Sequence, residues 1–166
     1  AMTSHNVVLV EGRPVRSIES LAPRNKWGAE PIPTATEWTE IPGGVRVKGT
    51  HTGYAGVTLS REVTFKHRKG WTVCDRVEGR VKRPHVARWH CEYGVEVTEG
   101  DGEFVATCGR VRLGIHLSSP GRVRTRLYRD DKWLGKNPLR LGEPAPWVLD
   151  VTFGGRDDDG LETHFT

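Results

Sequence analysis

Long apolar runs are missing from this sequence of 166 residues. No stretch approaches the roughly 18 consecutive apolar residues that a membrane helix needs. The chain also does not open with a basic segment, an apolar stretch and a cleavage site, the pattern of a secretory signal. The sequence therefore predicts neither a membrane span nor a secretory signal, and it leaves the cellular compartment open.

Cysteine is scarce as well, with three residues, Cys74, Cys91 and Cys108. They lack the close CxxC spacing of zinc sites, and they are too few for a disulfide scaffold. Buried free thiols are the simplest interpretation. One disulfide between two of the three remains an alternative.

Helix-forming residues are few, with 8 Ala and 11 Leu against 19 Val and 15 Thr. β-branched side chains favour strands over helices, and 20 Gly and 10 Pro supply turn positions. No segment shows apolar residues at helical spacing over three turns. The composition predicts a β protein with almost no helix.

A period of two, which is the period of a strand, runs through most of the chain. Apolar and polar residues alternate from Val57 to Phe65 and from Trp71 to Glu78, with Arg61 out of step and a polar turn at Lys66 to Gly70. Strands recurring every eight to twelve residues are typical of a sandwich or barrel. We therefore predict one all-β domain over residues 1–166, an antiparallel β-sandwich of two packed sheets with about 12 strands.

One turn allows a detailed register prediction. If Ser119-Pro120-Gly121 is a three-residue hairpin loop, His116 pairs with Arg124 and the alternating apolar residues share a face. The opposite face then collects the following basic side chains: Arg110, Arg112, His116, Arg122, Arg124 and Arg126.

This basic face is a candidate polyanion-binding site. The chain has 18 Arg, only 7 Lys and a formal charge of +4, and the planar guanidinium matches carboxylate and sulfate groups. The alternative is a solvated face whose charges prevent aggregation of the sheet. Nucleic acid is not an expected partner, because no recognised binding motif accompanies the charge.

A second candidate lies on one predicted strand, where Arg88, His90 and Glu92 share a face. Such a trio could hold a uronate or a metal ion, although cross-strand pairing is the simpler interpretation. No nucleophile elbow, phosphate loop or HExxH motif is present. We therefore assign no catalytic residue within the chain.

Several segments resemble the C-terminal β-sandwich of heparinase II/III-like polysaccharide lyases. The first is SHNVVLVEGR at Ser4 to Arg13, and it is followed in the family's order by Gly53-Tyr54 and REVTF. The later segments are WTVCDRVEG, RWHCEYGVEV and the closing LETHFT.

The resemblance implies a fragment of a larger lyase that acts on uronate-containing acidic glycans by β-elimination. In that family an N-terminal helical toroid supplies the catalytic asparagine, histidine and tyrosine. By the same resemblance, His5 is one ligand of a zinc or other divalent metal site whose remaining ligands lie outside this chain. We therefore expect no cofactor in the chain itself and no lyase activity from it alone, with a secreted or periplasmic parent as one option.

Two functions remain open. An accessory lyase domain would contact an acidic polysaccharide and carry an apolar patch where the toroid docks. A free-standing carbohydrate-binding or structural module would instead expose a row of aromatic residues, with Trp27, Trp38 and Trp133 as candidates. Both share one fold, so the fold does not separate them.

Overall fold

The computed structural model describes residues 6–11, 35–54, 56–81, 83–130, 144–155 and 159–166. Within these ranges the chain forms twelve strands and no helix. The strands in chain order are β1 (Val7–Leu9), β2 (Ala35–Ile41), β3 (Gly44–Tyr54), β4 (Val57–Lys66), β5 (Gly70–Gly79), β6 (His85–His90), β7 (Glu96–Glu99), β8 (Glu103–Cys108), β9 (Val111–Ser118), β10 (Arg124–Arg129), β11 (Trp147–Phe153) and β12 (Asp159–Phe165).

The strands form two sheets in which every pairing is antiparallel. A four-stranded sheet has the order β1-β6-β11-β10, and an eight-stranded sheet has the order β2-β3-β4-β5-β12-β9-β8-β7. The core cluster draws on both sheets, as expected of a sandwich. The prediction of an all-β antiparallel sandwich is confirmed.

Side-chain alternation builds this core. Leu149, Val151 and Phe153 of the four-stranded sheet are at most 2% exposed. Val77 and Leu161 of the eight-stranded sheet are also at most 2% exposed. Complete burial of such a side chain contributes about 1.5–3 kcal/mol to stability. We call the faces that meet at this cluster the inner faces and the opposite ones the outer faces.

The β4–β5 hairpin turns at the predicted polar segment, with Lys66 paired to Gly70 and Phe65 to Trp71. The one residue out of step, Arg61, lies on the inner face opposite Asp75. Its Nε and Nη2 donate to the two carboxylate oxygens of Asp75 at 2.7 and 3.0 Å. The Asp75 side chain is fully buried, and its ion pair with Arg61 offsets the free-energy cost of burying the carboxylate.

The predicted hairpin at Ser119-Pro120-Gly121 is wrong. β9 pairs with β8 and β12 in the eight-stranded sheet, whereas β10 pairs with β11 in the four-stranded sheet. The Ser119 hydroxyl donates to the carbonyl of Gly160 at 2.8 Å and anchors the segment to β12 as the chain crosses between sheets. The alternation inside each strand was predicted correctly, because Ile115 and Leu127 both face the core.

The opening strand β1 lies at one edge of the four-stranded sheet, as far as the described residues show. β1 pairs with β6, through Val7 with Arg88 and Leu9 with Val86. The alternation of residues 15–20 predicts a hairpin with this opening strand, but those residues and the segment 21–33 lie outside the described residues.

The three cysteines are free. Cys74 and Cys91 are half-buried, but Cys108 is exposed, so the prediction of burial fails for Cys108. Among the described residues, no helix is long and apolar enough to cross a membrane.

Candidate functional site

The outer face of the four-stranded sheet is rich in basic side chains. Strand register places Arg88 of β6, Asp150 of β11 and Arg126 of β10 in one row across the sheet. Arg124 belongs to the neighbouring row, opposite Thr152. Directly opposed residues of paired strands share a face, so these side chains lie together on the side away from the core.

Asp150 organises the middle of this face. Both of its carboxylate oxygens accept from Arg88, from Nε and Nη2, each at 2.7 Å. The Tyr128 hydroxyl donates to the same carboxylate at 3.3 Å. Hydrogen bonding to Asp150 is the main reason that the pKa of Arg88 is raised. Burial, followed by the charge of Asp150, raises the pKa of Tyr128.

Arg126 is held differently, since its guanidinium carbon lies 4.8 Å from the centre of the Tyr128 ring. A cation over a ring gains electrostatic attraction without using any of the five guanidinium N–H donors. Arg124 and Arg126 are both exposed. No carboxylate of the described residues lies within 4 Å of either guanidinium.

The structure divides the predicted basic face between two sheets. Arg112 and His116 lie on the outer face of the eight-stranded sheet, and Arg110 lies in the turn before β9. There His116 Nε2 is 3.4 Å from a carboxylate oxygen of Glu103. Arg124 and Arg126 lie on the outer face of the other sheet, and Arg122 is exposed in the crossing segment between the two.

Of the trio Arg88, His90 and Glu92, only Arg88 and His90 lie on β6. Arg88 turns toward Asp150, and the backbone N–H of His90 donates to Asn6 Oδ1 at 2.6 Å. Glu92 lies beyond the end of β6, where its carboxylate accepts from the backbone of Tyr93 at 2.9 Å. The structure instead brings Arg88 and His90 onto the same face as Arg124 and Arg126.

His5, the histidine of the metal-site prediction, lies outside the described residues. Over the part of the chain that is described, no group of three His, Cys, Asp or Glu side chains is arranged to hold a metal ion.

A cleft of about 730 Å³ opens beside β5, β12 and the crossing segment. Cys74 lies at its wall, and its thiol donates to Glu162 Oε2 at 3.2 Å. Burial and Glu162 raise the pKa of Cys74 to about 12. The thiol is therefore protonated near neutral pH and is a poor nucleophile.

A sequence model described as "Heparinase II/III-like, C-terminal" matches residues 1–141 of the chain. The chain belongs to this family. No curated protein matches the chain.

Several solved structures contain a region with the same fold as this heparinase II/III-like C-terminal domain. The heparan sulfate lyase HepC from Pedobacter heparinus aligns over 98% of the chain with a TM-score of 0.71 and 10% identity. The heparinase III BT4657 gene product aligns over 99% with a TM-score of 0.67 and 10% identity, and a further heparinase III over 96% with 0.65 and 10%. The chain spans only about a quarter of these structures, at 24%, 24% and 23%.

The segments that carry the family resemblance converge on β1. The Asn6 carbonyl accepts from Arg61 Nη1 at 2.8 Å, and Arg61 in turn is 5.1 Å from the Trp89 ring centre. The Tyr54 hydroxyl donates to the Val8 carbonyl at 3.3 Å. These contacts tie β1 of the four-stranded sheet to β3 and β4 of the other sheet.

Sequence reasoning missed Tyr128 and Asp150 as members of the basic face. Asp150 was detectable in part, because it is the only charged residue in the apolar strand WVLDVTF. A lone carboxylate in such a strand indicates a basic partner on the same face. The partner, Arg88, is 62 residues away, and only the sheet order identifies it.

An apolar shelf lies on the inner face of the eight-stranded sheet, outside the core cluster. Trp38 is 66% exposed and Trp71 is 47% exposed, with the Phe65 and Trp71 ring centres 4.7 Å apart. The members of the shelf are Trp38, Val45, Val47, Val63, Phe65 and Trp71. The shelf is both an apolar patch and an exposed aromatic group, so it fits both functions considered above. Trp27 and Trp133 lie outside the described residues.

Proposed function

We propose that this chain is the accessory C-terminal β-sandwich of a lyase that cleaves uronate-containing acidic glycans by β-elimination. The family match over residues 1–141 carries the proposal. The basic outer face of the four-stranded sheet, with Arg124 and Arg126 unpaired among the described residues, supports an acidic substrate.

The chain alone is expected to be inactive. β-Elimination needs a base within hydrogen-bond reach of the acidic proton and a group that stabilises the developing negative charge. By the family resemblance those groups belong to an N-terminal helical toroid. The solved relatives are about four times longer than the matched region, which leaves room for such a domain.

The toroid is the partner that we propose for the apolar shelf. Exposed apolar patches that exceed a few hundred Å² are typical of interaction surfaces. Trp38 and Trp71 face away from the core cluster on a part of the large sheet that β1, β6, β11 and β10 leave partly uncovered.

A zinc or other divalent metal site belongs to the same proposal. His5 would supply one imidazole ligand, and further protein ligands would have to come from the rest of the parent chain. When bound, a divalent ion in the substrate cleft of the proposed lyase would stabilise negative charge on the glycan.

A carbohydrate-binding or structural module is the second candidate. The exposed Trp38 and Trp71 favour it, because sugars stack on exposed aromatic rings. This function would not require any additional domain.

The deciding experiment compares residues 1–166 with a form extended toward the N-terminus. Both are incubated with heparan sulfate, hyaluronan and alginate, and the absorbance of unsaturated uronate is followed. A neutral glucan without uronate is the matched substrate control. We expect product only from the extended form and only with uronate glycans.

Product from residues 1–166 alone would contradict the accessory role. An extended form that is folded but inactive on every uronate glycan would contradict the lyase proposal and favour the binding module.

A further inference from the structure

The arginines of this chain differ in how far nearby acids neutralise them. On the outer face of the eight-stranded sheet, Arg112 and His116 alternate with carboxylates, including Glu103 opposite His116 and Glu162 on the adjacent β12. A polyanion approaching that face would meet both signs of charge. Like-charge repulsion from the acids would offset much of the attraction.

The outer face of the four-stranded sheet has a different charge balance. Its charged strand residues are Arg88, Arg124 and Arg126 with one acid, Asp150, which is engaged in the bidentate pair with Arg88. A second acid, Asp130, follows the end of β10, and its charge acts on Arg88 and Tyr128. Two positive charges therefore remain without a carboxylate partner among the described residues.

The spacing and orientation of Arg124 and Arg126 also favour the binding of an anion. Arg124 and Arg126 are two positions apart on β10, so their Cα atoms are about 7 Å apart and both side chains leave the same face. The Tyr128 ring supports the Arg126 guanidinium at 4.8 Å and leaves its N–H donors available. Asp150 holds Tyr128 by its hydroxyl, so the support is itself anchored.

We infer that Arg124 and Arg126 form the anion-binding site of this domain and bind sulfate and carboxylate groups of an acidic glycan, with Tyr128 as a positioning residue. This inference rests on the proposed function and specifies its contact surface. Arg110 and Arg112, which the sequence predicts on one basic face with Arg124 and Arg126, are not part of this inferred anion-binding site.

The test is a comparison of two double variants that change the net charge equally. R124Q/R126Q removes the site, and R110Q/R112Q removes two exposed arginines at the start of β9 and in the turn before it. Binding of residues 1–166 to size-defined heparin fragments is measured by titration calorimetry at two salt concentrations. The thermal unfolding midpoint of each variant shows that the fold is retained.

We expect R124Q/R126Q to weaken heparin binding at least tenfold and to reduce its salt dependence, because fewer counterions are released. R110Q/R112Q should change the affinity less than twofold. A Y128L variant should weaken binding by a smaller factor, whereas Y128F, which retains the ring, should preserve most of it.

Equal losses in the two double variants would overturn the inference, because they would indicate a general charge effect. Absence of heparin binding by the wild-type chain would also overturn it. Lyase activity of the extended form is scored separately. An active enzyme with no R124Q/R126Q effect refutes only the site, and an inactive one that still binds through Arg124 and Arg126 refutes only the lyase.

Discussion

His85 is a fully buried imidazole between the two sheets. Its Nδ1 accepts from the Glu11 backbone N–H at 3.1 Å, and its Nε2 lies 3.4 Å from Asp159 Oδ2. Burial lowers the pKa of His85 below its ordinary value of 6.5, although Asp159 and Glu11 partly offset this effect. The folded chain therefore holds the imidazole neutral at pH values where the unfolded chain has begun to protonate it.

This difference predicts a loss of stability in acid. The stability that the neutral His85 contributes is fully present above pH 6.5. It decreases as the pH falls toward the pKa of His85 in the folded chain, by at most about 1.4 kcal/mol per pH unit. Urea unfolding at pH 7.5 and 5.5 should show a larger decrease for the wild type than for His85→Asn. Asn keeps an acceptor near the Nδ1 position but does not titrate. Equal pH dependence in the two proteins would show that another group is responsible.

Some residue contacts could be predicted from the sequence and others could not. Lys66 to Gly70 is a local turn, and its register already pairs Arg61 with Asp75. The out-of-step arginine therefore had a recognisable partner. Arg88 and Asp150 belong to strands that are separated by four others among the described residues, and no turn links their positions.

At the scale of elements, two glycines of β3 provide a matched test of strand packing. A Cβ on Gly44 would lie 1.9 Å from the Phe65 carbonyl oxygen of β4, whereas a Cβ on Gly49 would meet nothing within 4 Å. We expect Gly44→Ala to cost about 1–3 kcal/mol, since the two strands must move apart. Gly49→Ala should be neutral or stabilising by up to about 1 kcal/mol, because alanine restricts the unfolded chain.

Chemical denaturation of both variants measures this difference. If Gly44→Ala is as stable as Gly49→Ala, the close approach of β3 and β4 near the β2–β3 turn is wrong.

The connection from β9 to β10 shows why element pairing was harder to predict than element identity. Alternation assigned Ile115 and Leu127 to core-facing positions, and this was correct. A hairpin and a crossing between sheets require the same alternation, because each strand buries one face in either case. The contact that distinguishes them, from Ser119 to Gly160, spans 41 residues.

At the scale of the molecule, this crossing separates two groups of arginines that looked like one. The outer faces of a sandwich point in opposite directions, so Arg112 and Arg126 lie on opposite sides of the molecule. The sandwich therefore has one outer face of mixed charge and one more basic outer face, so the proposed acidic glycan would bind on one side only.

The apolar shelf should be covered in a parent lyase that carries the proposed toroid. Trp38 is 66% exposed and Trp71 is 47% exposed, and a toroid packed on the shelf would exclude water from both indoles. Hydroxyl-radical footprinting read by mass spectrometry should show severalfold less oxidation of both residues in the extended form than in residues 1–166. Trp89 is the internal reference, because Arg61 and Phe165 already cover it. The Arg61 guanidinium carbon lies 5.1 Å and the Phe165 ring centre 5.2 Å from the centre of the Trp89 ring. Equal oxidation of Trp38 in the two forms would place the docking surface elsewhere and leave the shelf available for sugar stacking.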